Sequence, residues 1–559
     1  MKYFMLMALF FFGSLVDAQD YIPEYETDDC FYFMQRLADE AQTNISCGYL
    51  IVPEDRNHIE NTYELELFVV QIDAITESNT LPFVYLEGGP GGAASASFDF
   101  WLDSSIHQDY DIILIDQRGT GLSYPSLDCY EYHEVDDDSW VKDCRDRLVE
   151  DEEIALSAYT SANSAHDIHD LLVALNIDKA HIYGASYGTR LALTMMRDFP
   201  DRIATVILDA VYPPHVDAVV DEAIYGNQAI EQIFVDCAAD RACNTAYPNL
   251  RQSFYQAIET MNNNPPEIYD YELDFWVETT GDDFVNQIYS ILYDTEYLPY
   301  LPALIYAYAN GDYDYDPQYE AEESTEPDEY DIAAMEYLEI DDIDVLYEYY
   351  NSLNDGEYFD LMGELEAYID YVLFQEYLGY DTLDETIEYV DNLNNDDYYD
   401  LEFEVIGYYD DDSEGLYLSV ECSEEIHFYD VDDVLARSEG LPELVKIALT
   451  TESIDSFNEC DIWNVDESGE IENQPVISDI PTLILSGAYD PVTPYQWGTE
   501  AQSYLSNSWH YIFPNVGHSA LDTQACAKTI VLSFLDQPLQ QPNDSCMSGV
   551  GAPQFYIRS

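Results

Sequence analysis

Three residues, far apart in the chain, have the types and settings that nucleophilic catalysis requires. Ser186 stands in HIYGASYGTR, Asp490 in SGAYDPVTP and His518 in FPNVGHSA. A serine hydroxyl is a poor nucleophile until a base takes its proton. An imidazole serves as that base when a carboxylate fixes its tautomer. Nucleophile, then acid, then base is one of the few chain orders in which this constellation recurs. Gly184 and Gly188 flank Ser186, and small neighbours permit the strained strand-to-helix turn that presents such a hydroxyl. Each residue alone has an ordinary reading: G-x-S-x-G arises by chance, an Asp before Pro491 forms turns, and histidines sit in surface loops. Together, in this order and each just past a strand-like run, they predict a triad of Ser186, Asp490 and His518.

Acyl transfer also needs two N–H donors aimed at the developing oxyanion. Tyr187, directly after the nucleophile and at a helix start, supplies one. The glycine loop EGGPGG (87–92) supplies the other, because Gly88 and Gly89 let the backbone approach a substrate without a Cβ. The loop lacks the Lys-Ser/Thr ending of a phosphate-binding loop, which argues against nucleotides. HDIHD (166–170) places two histidines three apart on a helix-like run with no further ligand in view, and no C-x-x-C occurs. No metal and no cofactor are predicted. Asp116 and Arg118 in DQRGTG read as a pair that braces the core.

The elements that must hold these residues are legible as well. YELELFVVQI (63–72), FVYLE (83–87), DIILID (111–116), HIYGA (181–185) and IATVILDA (203–210) read as strands. SAHDIHDLLVALNI (164–177) and LALTMMRDF (191–199) read as helices. The pattern resumes at IPTLILSG (480–487) and WHYIFP (509–514). Strand–helix alternation with glycine turns predicts an α/β fold with a mostly parallel sheet. The sheet is interrupted by a long insertion and then completed. The boundaries read as a first core segment 19–214, an insertion 215–475 and a second core segment 476–559.

The insertion differs in composition. No Lys or Arg occurs between Arg251 and Arg437, and residues 311–410 contain 34 Asp or Glu, 18 Tyr and no His. MEYLEIDDIDVLYEYYNSL and DLMGELEAYIDYVLFQEYL still carry regularly spaced apolar residues, which predicts a mainly helical, acidic cap. The net charge is −97. Phosphate backbones and anionic membranes would be repelled, so nucleic acid is excluded as a partner. A surface this rich in carboxylates would be screened weakly by cations, calcium among them. A proper calcium loop is not expected at Asp312-Asp314-Asp316, because Pro317 stands where a glycine must turn the chain.

Lys2, the apolar run Tyr3–Leu15 and the small residues before Gln19 read as a signal peptide cut after Ala18. That run is short for a membrane span, and no later segment is apolar enough for stable membrane insertion. Secretion, or export to a periplasm, makes the ten cysteines a set of disulfides, with the pairing open.

EGGPGG, DQRGTGLSYPSLDC, GASYGTR, ILDAVYPP, GAYDPVTP and NVGHS, in that order, resemble the secreted tripeptidyl aminopeptidases of the α/β-hydrolases, with prolyl aminopeptidases as near relatives. The resemblance runs from about Val52 to Cys546. It implies an exported serine exopeptidase that acts on peptides through an acyl-enzyme. Ser186 is then the nucleophile, His518 the base, Asp490 its partner, and Gly89 and Tyr187 the oxyanion donors. The cap would close one end of the cleft. A free α-ammonium calls for partly desolvated carboxylates, and Glu421, Glu424 and Glu425 around Cys422 are the candidates. Glu87 stands where prolyl aminopeptidases carry histidine, which weakens a strictly proline-specific reading. A carboxylesterase or lipase of the same fold is the alternative, although a lipase would favour an apolar lid. A binding protein without catalysis is disfavoured by the intact Ser, Asp and His.

Overall fold

A computed structural model describes residues 21–558 apart from 60–61, 77–79, 135–138, 271–274 and most of 314–411. The expected signal peptide, the centre of the acidic insertion, and Asp314 and Asp316 lie outside the described residues. The chain divides into two compact units. The first holds Ser46–Tyr315 and Asp411–Ser559 together with the N-terminal residues to Asp28. The second holds Asp29–Ile45 and Asp316–Asp410. Within the second, Tyr32 packs against a small core of Phe374 and Val390.

The first unit is built on one sheet. Its strands are β1 (Glu24–Asp28), β2 (Ile45–Pro53), β3 (Glu64–Ile72), β4 (Phe83–Leu86), β5 (Ile112–Ile115), β6 (Ala180–Ala185) and β7 (Ile203–Asp209). A separate antiparallel hairpin, β8 (Glu267–Asp270) and β9 (Phe275–Glu278), follows, and then β10 (Thr482–Gly487) and β11 (Ser508–Phe513) return to the sheet. The strand order is β1-β2-β3-β5-β4-β6-β7-β10-β11. From β5 to β11 every pairing is parallel, while β1 with β2 and β3 with β5 run antiparallel. Every residue of β4, β5 and β10 is buried. That is what continuous apolar runs do in central parallel strands covered on both faces.

The insertion does not disturb the register. Thr482 of β10 sits beside Val206 of β7 and Leu485 beside Asp209, although the chain has left the sheet in between. Part of the intervening chain packs as helices Ala218–Ala239, Leu250–Asn263, Gly281–Tyr293, Leu301–Ala309 and Glu443–Trp463. They share one apolar core, and Tyr489, next to Asp490, belongs to it. Disulfides join Cys129 to Cys144, Cys237 to Cys243, Cys422 to Cys460 and Cys526 to Cys546, and no described cysteine is free.

DQRGTG folds differently from expectation. Arg118 does not pair with Asp116. Its guanidinium grips Asp167 of HDIHD with two bonds, Nε to Oδ2 at 2.7 Å and Nη2 to Oδ1 at 2.8 Å. Asp116 instead accepts from Ser95 N, Ser95 Oγ and Leu122 N, and so ties the turn down. The histidines of HDIHD both meet one ring: His166 and His169 pack on Phe199, at 4.7 and 4.5 Å between centroids.

Candidate active site

β6 ends at Ala185 and the next helix starts at Tyr187, so Ser186 alone makes the turn. It does so at φ 52° and ψ −125°, outside the regions that a residue with a Cβ prefers. The turn fits because its neighbours are small. A Cβ on Gly188 would lie 2.1 Å from the carbonyl oxygen of Leu86. The helix Tyr187–Asp198 points its unsatisfied first N–H groups, Tyr187 among them, back at the serine.

The glycine loop after β4 lies against this elbow. A Cβ on Gly88 would come within 3.1 Å of Ser186 Cβ and 3.7 Å of its Oγ. Gly89, the next residue, takes φ +101°. Glu87 braces the loop. Its Oε1 accepts from Gly88 N at 2.8 Å, and its Oε2 accepts from Tyr85 Oη and Ser97 Oγ, both at 2.7 Å. The carboxylate is thus a local strut for the backbone rather than a group held out to substrate.

Asp490 follows β10 and His518 follows β11, and the parallel pairing of those strands brings the two loops together. His518 Nδ1 lies 2.9 Å from Asp490 Oδ2. With that nitrogen donating to the carboxylate, Nε2 carries the lone pair, and Nε2 is buried with no hydrogen-bond partner. This is the atom a general base needs free. Asp490 is only 3% exposed, and its charge is held by Val492 N at 3.0 Å, Thr493 N at 2.8 Å and Thr493 Oγ at 2.6 Å. Burial alone would lower the His518 pKa, but the charge and hydrogen bond of Asp490 outweigh it and raise the imidazole above its ordinary value. Thr493 and Tyr293 complete the surroundings. Thr493 Oγ also lies 3.2 Å from His518 Nδ1, while the Tyr293 ring stacks on the imidazole at 4.2 Å between centroids. Neither is among the site residues expected from the sequence. A hydroxyl three residues after an Asp in a turn, as in DPVT, was the available signal for Thr493.

The three glutamates near Cys422 are placed otherwise than expected. Glu424 accepts from Arg190 Nε at 3.1 Å and from Ser161 N and Oγ, both at 2.7 Å. Glu425 Oε1 takes Arg190 Nη1 at 2.5 Å. Glu421 is the least engaged, with Tyr212 Oη at 3.4 Å. Arg190 lies one turn along the helix that starts at the elbow, and it is 1% exposed. A guanidinium buried so completely needs carboxylate partners, and it has taken two of the three. Ser161 Oγ also lies 2.8 Å from the hydroxyl of Tyr187, so this cluster props the elbow from behind.

A different set of carboxylates borders the glycine loop. A cavity of about 520 Å³ has Gly89 and Pro90 in its wall, with Glu452, Asp455 and Glu459 from the helix Glu443–Trp463 and the rings of Trp140 and Tyr417 around it. Glu421, Glu424 and Glu425 do not line it. Among the described residues no group of three or more His, Cys, Asp or Glu is placed to hold a metal ion.

Comparison with known proteins agrees with this fold. Residues 82–317 match the model described as alpha/beta hydrolase fold, and residues 448–546 match the one described as TAP-like protein. The chain has the α/β-hydrolase fold, and its C-terminal part is similar to TAP-like proteins. Among curated relatives, serine protease Hip1 of Mycobacterium tuberculosis is 26% identical over 226 residues, which cover 36% of this chain and 42% of Hip1. Tripeptidyl aminopeptidase of Streptomyces coelicolor is 27% identical over 207 residues, 31% of this chain and 36% of that one. A probable proline iminopeptidase of Leptolyngbya boryana is 30% identical over 134 residues, 24% and 32%. The aligned segments span less than half the length of each of these relatives.

Proposed function

We propose that this protein is a serine exopeptidase that releases N-terminal residues or short peptides, such as tripeptides, from peptide substrates. The observation that carries the chemistry is the buried Asp490–His518 pair with Nε2 free, its loop tied through Asp209 to a serine on a strained turn. Ser186 Oγ attacks the scissile carbonyl carbon as His518 Nε2 takes its proton. The N–H groups of Tyr187 and Gly89 hold the oxyanion. The imidazolium gives the proton to the leaving amine, and an acyl-enzyme remains. Water, deprotonated by the same nitrogen, then releases the acid.

The choice of peptides over simple esters rests on the aminopeptidase and protease names of the relatives and on the cavity beside Gly89. A substrate whose carbonyl sits at the oxyanion loop would extend its N-terminal side into that cavity. Its ammonium would meet Glu452, Asp455 and Glu459, partly out of water, where a charge pair is stronger than in bulk. These three replace Glu421, Glu424 and Glu425 as the amine anchor. The insertion 215–475 acts as the cap that makes cleavage exopeptidic.

Export fits this role. Disulfides persist in oxidising compartments, and among the described residues no helix is long and apolar enough to cross a membrane. The acidic surface would be stabilised by screening, so the melting temperature should rise with moderate salt or calcium.

The test is a comparison of tripeptidyl and aminoacyl amides with p-nitrophenyl butyrate. The peptidase reading expects the amides to be cleaved and N-acetylation to abolish cleavage. E452Q and D455N should raise KM for free-amine substrates and leave kcat nearly unchanged. Efficient hydrolysis of the butyrate with no amide cleavage would overturn the reading in favour of an esterase.

A further inference from the structure

Asp209, the last residue of β7, touches both halves of the site. Its main-chain carbonyl accepts from Ser186 N at 2.9 Å, which ties it to the elbow. Its side chain reaches the other way, to the residues directly after His518. Oδ1 accepts from Ala520 N at 2.9 Å. Oδ2 accepts from Leu521 N at 2.8 Å, Ala520 N at 3.1 Å, Ser519 Oγ at 3.2 Å and Tyr183 Oη at 3.0 Å. Ser519 itself is held at φ 58°, a left-handed conformation that costs a non-glycine residue about 1–3 kcal/mol. The bonds to Asp209 fall on the strained residue and on the two that follow it.

The carboxylate is fully buried, and every donor it uses is neutral. A buried anion satisfied only by neutral dipoles keeps its field for any cation that forms nearby. The titratable groups around it are Tyr183 on β6, Glu87 and Tyr85 beside the glycine loop, and His518 and Asp522 in the base loop. Of these only His518 becomes a cation. Burial raises the pKa of Asp209, and its amide bonds oppose that rise.

We propose that Asp209 is a positioning residue for the general base. It locks the turn Ser519–Leu521 that carries His518 against the elbow, and it sets a second negative charge, besides that of Asp490, where the imidazolium forms. The proposal rests on the reading of Ser186 and His518 as nucleophile and base.

A fluorophosphonate reports on Ser186 and His518 without any assumption about substrate. The rate of labelling should be followed from pH 5 to 9 for the wild type, S186A, D209N and S519A, with circular dichroism to check folding. Wild type should label and S186A should not. D209N should label about 10- to 100-fold more slowly, the scale of a base displaced by a fraction of an ångström. Its acid limb should also move to lower pH, because an anion that favours the imidazolium is gone. S519A should move the rate in the same direction by less. A folded D209N with the wild-type rate and wild-type limb would overturn the proposal. So would an unfolded D209N accompanied by an S519A that matches wild type in both. A wild-type protein that does not label at all would instead overturn the hydrolase reading, and this proposal with it.

Discussion

The imidazole of His518 lies face to face with the ring of Tyr293, with centroids 4.2 Å apart and planes 19° from parallel. The contact is doubled by the backbone, since His518 N donates to the Tyr293 carbonyl at 2.7 Å. Tyr293 ends the helix Gly281–Tyr293, which is packed in the apolar core of the insertion. His518 is therefore held from the insertion side as well as from the sheet. A stacked aromatic pair contributes about 0.5–1.5 kcal/mol. Y293F should stay near wild type in kcat, while Y293A should lose about three- to tenfold. Steady-state kinetics on one amide substrate decides it, and equal kcat in both variants would show that the stacking does not matter.

The pH profile should carry the signature of Asp490. The His518 pKa lies above the ordinary histidine value because the nearby carboxylate overcomes the effect of burial. Only the neutral imidazole accepts the serine proton, so kcat/KM should rise with pH through an acid limb above about 6.5. D490N removes the charge that favours the imidazolium. The limb should shift to lower pH, and the plateau should fall by about 10⁴, as expected when the wrong tautomer is presented. A limb that stays in place in D490N would contradict the pairing.

Arg190 should be a stability residue with little tolerance. It is buried with Glu424 and Glu425, and its removal leaves carboxylates without a counter-charge. R190M should cost about 3–5 kcal/mol. Denaturant unfolding measures it directly, and a loss below about 1 kcal/mol would mean that the cluster does not depend on this guanidinium.

The same cluster makes a pH-dependent contribution of unusual sign. Burial raises Glu421 to about 8 and Glu425 to about 7, from an ordinary 4.5. Between those limits the folded chain binds more protons than the unfolded one. These two groups therefore make stability fall as pH rises from about 4.5 to 8. E421Q mimics the protonated form, so its melting temperature relative to wild type should improve between pH 5.5 and 8.5. A difference that stays constant across that range would show that Glu421 is not held protonated.

The sheet and the elbow were legible because each is a local signal. Continuous apolar runs mark central strands, and glycines around Ser186 mark a tight turn that admits no larger side chain. The strands β1 and β2 and the hairpin β8–β9 carry no such run: β1 has five residues, β8 and β9 four each, and Ser46 and Gly48 break up β2. The pairing of Arg118 with Asp167 rather than Asp116, and of Arg190 with Glu424 and Glu425, is set by packing between segments far apart in the chain. Spacing along the chain carries no trace of it. Carboxylates next to a disulfide looked suited to an ammonium, yet the nearest buried cation was the protein's own. Tyr293 is hidden for the same reason, since its value lies in what the fold sets beside His518, whereas Thr493 has a local signal in DPVT.

Ser186 is proposed to serve an exopeptidase that requires a free N-terminus. Mass spectrometry of one set of peptides, each with a free and an acetylated N-terminus, incubated with wild type and S186A, tests it most directly. Release of N-terminal residues or short peptides is expected from the free forms only, with none by S186A. Equal cleavage of the acetylated peptides, internal cuts, or release that persists in S186A would contradict it.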